Sequence, residues 1–486
     1  MVEAARRAAI ENGFEPDPSP AALAEAERAT VNTTPGGIVR DTRTIPWSSI
    51  DNRDTRDLDQ LEWVDELPDG SIRLWIAIAD VEAAVPKGSA LDLHAATNST
   101  SVYTGIAIFP MLPEKLSTDL TSLVADADRL AVVVETIVAK DGTVTHGEIF
   151  RAVVRNQAKM AYEDVGAWLE GHGPIPDAAK SAEMTRQLTL QGEAAKRLKD
   201  ARLRNGALEF DTIEATPVTK DGRVVDLELI HKNKARDVIE DFMIASNIGI
   251  ATYLEAQGRS GIRRVVREPA RWNRIVELAA RYQYTLPVEP DSLALAGFLS
   301  ARRTASPDTF TDLSTSVVKL LGPGEYALDR PGHDPGGHFG LAAHDYTHAT
   351  APNRRYADLV TQRLVKAALA GEAAPYDDTA LEAIAAHCTE REDAARKVER
   401  STRKTAAASL LHDRIGQRFE GVVTGVTKSG TFARLISPPA EGRVMRGEQG
   451  LDVGDHVTLE LLGTNVEKGF IDFANVTAAA TPRNSR

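Results

Sequence analysis

The chain has 486 residues, a formal net charge of −13, and is 42% hydrophobic, 26% charged and 5% aromatic. That length predicts two to four domains. The acidic balance argues against a surface coated with cations, but not against a local basic channel, because phosphate binding depends on where Lys and Arg sit. Cys388, the single cysteine, excludes an intrachain disulfide and a thiolate-clustered zinc site, and a reducing cytoplasm is the expected compartment.

Residues 1–40 read as a short helical module. "EAARRAAIENGF" and "PAALAEAERAT" are predicted helices split by "EPDPSP", and "NTTPGGIV" is a linker. The N-terminus lacks the apolar core of a signal peptide, and no window of eighteen predominantly apolar residues predicts a membrane span. From Ile72, "IRLWIAIADV" has the apolar, β-branched grain of a buried strand. "AVVVETIVAKDGTVTHGEIFRAVVRN" predicts a strand pair around a D-G turn, and "LEFDTIEATPVTKDGRVVDLELI" repeats that grammar. "ARDVIEDFMIASNIGIATYLEAQ" and "PARWNRIVELAARY" predict helices from their three- and four-residue apolar spacing. Residues 41–410 are therefore expected to form one large mixed α+β body. Residues 411–475 offer about five short strands with Gly-rich turns, the pattern of a small β-barrel, and 476–486 is expected to be a disordered tail.

Two constellations carry chemistry. In "SSIDNRDTRDLDQLEWV" four aspartates, Asp51, Asp54, Asp57 and Asp59, fall in nine positions and are followed by Gln60. A solvated acidic loop is the plain alternative. A metal site gains weight because the cluster precedes an apolar strand, and because residues two apart in an extended segment share a face. Hard oxygen ligands suit Mg²⁺ or Mn²⁺. A calcium loop fails, since Arg53 and Arg56 occupy its third and sixth positions. The second constellation is "HDYTHATAPNRRYADLVTQRLVKAAL". Arg354 and Arg355 open a predicted helix, where cations oppose the macrodipole and are better tolerated if they meet an anion. One Arg of such a pair is ordinarily exposed or paired with an acid, here Asp358. His344 and His348 are expected to be structural.

The segments "SIDNRDTRDLD", "TSVYTGIAIFPMLPEKLSTDLTSL", "ARDVIEDFMIASNIGIA" and "YTHATAPNRRYADLVTQRL" together resemble the RNase II family of 3′-to-5′ exoribonucleases, and the final segment resembles an S1 domain. The resemblance implies an RNB-like catalytic domain followed by a five-stranded OB/S1-like barrel. It also implies release of 5′-mononucleotides from single-stranded RNA or RNA 3′ ends, structured RNA included, with Mg²⁺ or Mn²⁺ as cofactor and no membrane partner. By the same resemblance, Asp51, Asp57 and Asp59 occupy three of four acidic positions, and Gln60 stands at the fourth, where its amide oxygen is still available to a metal or water. Gln60 is expected to tune a working site; an inactive RNA-binding protein is the alternative. Arg354 matches the essential Arg of "SPIRRY", here "APNRRY". Arg355 beside it and Glu399, in "KVERSTRK", are expected on the RNA path. Tyr103 resembles a tyrosine near the cut, Tyr162 one that stacks at the 3′ end, and Phe210 the aromatic that clamps the base stack from the other side. In the barrel, Phe419, Lys428, Phe432 and Arg434 are candidates for RNA contact, with Phe419 and Phe432 either a stacking platform or core. Family members typically begin with two cold-shock barrels, for which residues 1–40 leave no room.

Overall fold

The computed structural model describes residues 1–211, 214–220, 222–230, 232–427 and 430–477. Lys428 and the tail beyond residue 477 lie outside the described residues. Two helices open the chain, α1 (Val2–Glu11) and α2 (Pro20–Arg28). Ser19 caps α2 by accepting from Ala22 N–H, and Pro20 takes the first turn, where its missing donor costs nothing.

The next strands are β1 (Val39–Asp41), β2 (Trp47–Asp51), β3 (Gln60–Glu66) and β4 (Ile72–Ala79). They are followed by α3 (Ala90–Asn98), the short pair β5 (Val102–Tyr103) and β6 (Ile108–Phe109), and the long strands β7 (Asp128–Val138) and β8 (Val144–Ala161). Among the described residues, β1, β8, β2, β3, β4 and β7 form one six-stranded sheet in that order. The first part of β8 pairs antiparallel with β7, and its last residues pair parallel with β2, so the sheet curls round on β8. The continuous apolar run of β4 is explained by burial on both faces. Ile72, Leu74, Ile76 and Ile78 pack in one cluster with Leu198 and Phe242, whereas Ala77 and Ala79 join a second with Leu359 and Leu364.

The covering helices are α4 (Tyr162–Leu169), α5 (Ala182–Arg204) and, after the hairpin β9 (Glu214–Lys220) and β10 (Arg223–Ile230), α6 (Lys234–Ala256). Strand β11 (Gly261–Val265) pairs with β12 (Glu325–Asp329). Between them α7 (Trp272–Arg281), α8 (Ser292–Ala305) and α9 (Pro307–Leu321) enclose their own core around Trp272, Phe298 and Phe310. Helix α10 (Tyr356–Leu369) backs the sheet. The 34-residue α11 (Asp378–Leu411) runs from the body to the barrel. Its start shares the main core through Leu381 and Cys388, its middle packs on α1 through Ala395 and Val398, and its end enters the barrel core through Ala408 and Leu411.

The barrel consists of β13 (Arg418–Thr427), β14 (Gly430–Leu435), β15 (Glu441–Arg446), β16 (His456–Asn465) and β17 (Phe470–Asn475). Among the described residues it closes in the order β13-β14-β15-β17-β16, with β16 returning to β13. Closure removes exposed sheet edges, and the alternating residues Ala433 and Leu435 point inward. The fold is thus a mixed α/β body followed by a five-stranded barrel, as the sequence predicts.

Candidate active site

The register that sets Ser48 opposite Glu62 brings Asp51, at the end of β2, and Asp59, just before β3, to one end of the strand pair. The loop between them is pinned to the body. Leu58 N–H donates to Ser122 Oγ at 2.9 Å, Ser122 Oγ donates to Arg56 O at 2.6 Å, and Leu123 N–H donates to Leu58 O at 2.9 Å. Asp54 is exposed on the outer side of this loop.

Of the three other aspartates, Asp51 and Asp57 are half-buried and Asp59 is buried. Asp51 Oδ1 accepts from Asn52 N–H at 2.6 Å and Thr55 Oγ1 at 2.9 Å. Asp57 Oδ2 accepts from the Tyr103 hydroxyl at 3.1 Å. Asp59 is only 3% exposed; its Oδ1 accepts from Asn353 N–H at 3.3 Å and its Oδ2 from Arg354 Nε at 3.2 Å. Burial pushes the Asp59 carboxyl up to about 7, against the pull of the Arg354 guanidinium and with help from the Asp57 charge. Burial likewise raises Asp51. Gln60 is buried, and its amide makes no hydrogen bond to another described residue.

Raised carboxylates with unused lone pairs are the donor chemistry that a hard cation satisfies. Among the described residues, however, no three His, Cys, Asp or Glu side chains are drawn close enough to hold a metal on protein atoms alone.

The two arginines divide their labour. Arg355 forms a fork with Asp358, Nε and Nη2 donating at 2.9 and 2.7 Å, and Asp358 also accepts from Ala351 N–H at 2.8 Å. Asp358 is fully buried, so Arg355 is tied into the turn that launches α10. Arg354 reaches Asp59 through Nε alone, and its side chain is 42% exposed. It lines a cavity of about 250 Å³ together with Ser99, Thr100, Tyr103, Glu392 and Glu399. Tyr162 opens α4 with the Arg236 guanidinium 4.3 Å from its ring centre, so one ring face is already covered. Arg236 also donates to Asn52 Oδ1 at 2.9 Å, tying α6 to the aspartate loop. His348 is enclosed and bonded to the Tyr326 hydroxyl at 2.8 Å, and His344 sits exposed between Asp334 and Asp345; neither faces the carboxylates.

The remaining candidates are dispersed. Phe210 packs partly buried against the α7–α9 core and lines a separate cavity of about 290 Å³ with Lys199 and Asp237. Phe419 and Phe432 do not form the platform that the sequence suggests. Phe419 is 7% exposed in the barrel core, under Arg414 at 4.6 Å, whereas Phe432 is half-buried on the outward face of β14. The alternation of β14 separates them, because Ala433 and Leu435 are the residues that point inward. Arg434 shares the outward face with Phe432 but is held by Asp312 of α9 at 3.5 Å. Phe419→Ala is therefore expected to cost about 3–5 kcal/mol of barrel stability, measured by denaturant unfolding. Phe432→Ala should stay within about 1 kcal/mol of the parent while weakening RNA binding; equal losses in the two variants would refute this division.

Sequence reasoning missed Asn353, Thr55, Glu62 and Arg236. Asn353 had a signal, since it directly precedes the Arg pair, and so had Thr55, four residues from the Asp51 to which it donates; Arg236 is defined by its bond to Asn52, far away in the chain, and Glu62 by its burial.

Comparison with known proteins identifies the family and the fold. The model of the RNB domain matches residues 39–371, and that of the RNase II-type exonuclease C-terminal S1 domain matches residues 417–476. Ribonuclease R of Vibrio parahaemolyticus is 29% identical over 478 residues, covering 89% of this chain and 55% of the relative. Ribonuclease R 1 of Lactococcus lactis is 30% identical over 399 residues, covering 80% of this chain and 48% of the relative. This chain thus spans about half the length of the curated relatives it matches. The structure of Mycoplasma genitalium RNase R in complex with ribose methylated single-stranded RNA superposes with a TM-score of 0.87 at 21% identity, covering 98% of this chain and 78% of that one. The same protein in complex with double-stranded RNA also gives a TM-score of 0.87. With the RNB model covering well over half of its residues and an S1 domain following, the chain belongs to the RNB-domain, RNase II family.

Proposed function

We propose that this chain is a hydrolytic 3′-to-5′ exoribonuclease that releases 5′-mononucleotides from RNA 3′ ends. The observation that carries this reading is Arg354, which bridges the buried Asp59 and an open cavity and keeps its terminal nitrogens for a ligand. In this reading water attacks the terminal phosphodiester, the bond to the 3′ oxygen of the preceding ribose breaks, and that oxygen takes up a proton. Arg354 holds the charge that gathers on the phosphoryl oxygens. Asp59 fixes the Arg354 guanidinium, and Tyr103 fixes Asp57. Asp51, Asp57 and Asp59, with the Gln60 oxygen, would hold Mg²⁺ or Mn²⁺, which supplies activation of water and stabilisation of the leaving oxygen. Tyr162, half-buried against the core beside Arg236, is the residue assigned to a terminal base, a stacking contact that every base can make. Glu399 edges the cavity, and Phe210 and Phe432, away from it, are assigned further RNA contacts.

RNA with a free single-stranded 3′ end is the proposed substrate. The RNA complexes of the M. genitalium relative, one single-stranded and one double-stranded, support extending it to structured RNA. A cytoplasmic setting agrees with the lone, buried Cys388; among the described residues no helix is long and apolar enough to cross a membrane. The second reading, an inactive RNA-binding protein, is favoured by one observation, the neutral Gln60 beside the carboxylates.

The test uses RNA blocked at its 3′ or 5′ end, with Mg²⁺ or Mn²⁺. Nucleotide release that stops only with the 3′ block is expected. Release indifferent to that block would overturn the direction. RNA binding without release under either metal would establish the second reading.

A further inference from the structure

The aspartate loop and the turn that carries Arg354 are 294 positions apart at Asp59 and Asn353, and the bonds that join them directly are long. Asn353 N–H reaches Asp59 Oδ1 at 3.3 Å, and Arg354 Nε reaches Asp59 Oδ2 at 3.2 Å. Both lie at the far edge of the hydrogen-bond range, where a contact restrains little. Among the described residues no other hydrogen bond joins residues 351–355 to residues 51–60.

Shorter bonds join the two through a third segment. Thr121 follows the short helical turn Leu116–Leu120 and is buried. Its Oγ1 donates to Asn353 Oδ1 at 2.6 Å. Leu116 O, 2.9 Å from the same hydroxyl, already accepts from Thr121 N–H at 3.1 Å, so the single hydroxyl proton is free for the Asn353 amide. The next two residues hold the aspartate loop. Ser122 Oγ bonds with Leu58 N–H and Arg56 O, and Leu123 N–H donates to Leu58 O. Three consecutive residues thus grip both halves of the site.

Asn353 is 1% exposed, and with Oδ1 given to Thr121 its Nδ2 is buried without a partner among the described residues. A stranded amide donor is costly, and an aliphatic side chain would fill the same space without that cost. The residue that carries this donor already binds Asp59 through its own N–H. Burial raises the Asp59 carboxyl, and Arg354 together with the N–H and side chain of Asn353 pulls it back down.

We propose that Thr121 and Asn353 are positioning residues for the reaction. Their hydrogen bond fixes the Arg354 turn against the aspartate loop, so that Asp59 and the Arg354 guanidinium meet the scissile phosphate in one geometry. This rests on the nuclease reading and deepens it. Neither side chain touches the reacting atoms; both act through Asp59 and Arg354.

The experiment measures nucleotide release by the whole chain from single-stranded RNA with a free 3′ end, in Mg²⁺. Thr121→Val keeps the side-chain shape and removes the hydroxyl. It is expected to lower kcat about tenfold with KM within twofold of the parent, because a displaced reacting group costs rate before it costs binding. Thr121→Ser keeps the donor and should stay within twofold of the parent. Asn353→Leu should lose at least as much as Thr121→Val, and the double variant no more than Asn353→Leu alone, because the two side chains share one bond. In an Arg354→Ala background Thr121→Val should change the rate less than twofold. Thr118→Val, which breaks only a bond to Glu114 O beside the same turn, is the control and should release nucleotides as the parent does. A parent-like kcat in Thr121→Val, an equal loss in Thr121→Ser, or an undiminished loss in the Arg354→Ala background overturns the proposal and leaves the nuclease reading standing. A parent chain that binds RNA and releases no nucleotide under Mg²⁺ or Mn²⁺ overturns both. Should Asn353→Leu fail to fold, Thr121→Val and Thr121→Ser decide alone.

Discussion

Asp59→Asn is expected to bind RNA and to release nucleotides about a thousandfold more slowly, the loss typical when one preorganised electrostatic element is removed from a reacting centre. The same variant should show a distinctive dependence of stability on pH in EDTA. In the folded chain burial raises the Asp59 carboxyl from its ordinary 3.8 to about 7. Between those values the folded chain keeps a proton that the unfolded chain has lost. The contribution of Asp59 to stability is therefore fully present below pH 4, falls as pH rises through this window, and levels off above it. Asparagine carries no such titration. Relative to the parent, Asp59→Asn should gain a few kcal/mol between pH 4 and 7, at about 1.4 kcal/mol per tenfold change. Mg²⁺ or Mn²⁺ added at neutral pH should restore the parent and leave the variant unmoved. Parallel pH–stability curves for the two proteins would sink the assignment of Asp59 as the buried, cation-dependent carboxylate.

The Arg pair should separate catalysis from folding. Asp358→Ala leaves the Arg355 guanidinium without its fork and Ala351 N–H without its acceptor, and is expected to cost about 3–5 kcal/mol in denaturant unfolding. Arg355→Ala should resemble it, since it strands a fully buried Asp358. Arg354→Ala, whose side chain is partly exposed, should unfold within about 1 kcal/mol of the parent and yet lose nucleotide release by a factor of a hundred or more. If Arg355→Ala is as stable as the parent and as inactive as Arg354→Ala, the division between the two is wrong.

Much of this molecule is local enough to be legible. The D-G turn between β7 and β8 uses Gly142 at φ +83, a conformation that glycine adopts without strain, and the flanking β-branched runs pair as their pattern predicts. Helices α6, α7 and α10 follow their apolar spacing. By contrast, α11 has long polar stretches and little overall amphipathic signal, because it changes partners along its length from the main core to α1 to the barrel. No single periodicity describes a helix that is buried by three different surroundings.

The same distinction runs through the candidate site. Sequence alone determined the residue types and their grouping: aspartates at 51, 57 and 59, an amide at 60, an Arg pair at 354 and 355, and a terminal stretch with barrel grammar. These depend on spacing and composition, which the chain carries locally. Only the tertiary structure decided that Arg355 is bound to Asp358 while Arg354 faces a cavity, and that Phe419 is core while Phe432 is not. It also decided that Glu62 is the one buried carboxylate among the described residues left without a cation. Burial and countercharge are properties of what distant segments bring to a side chain, and for Asp59 and Arg354 nearly three hundred residues separate the two partners.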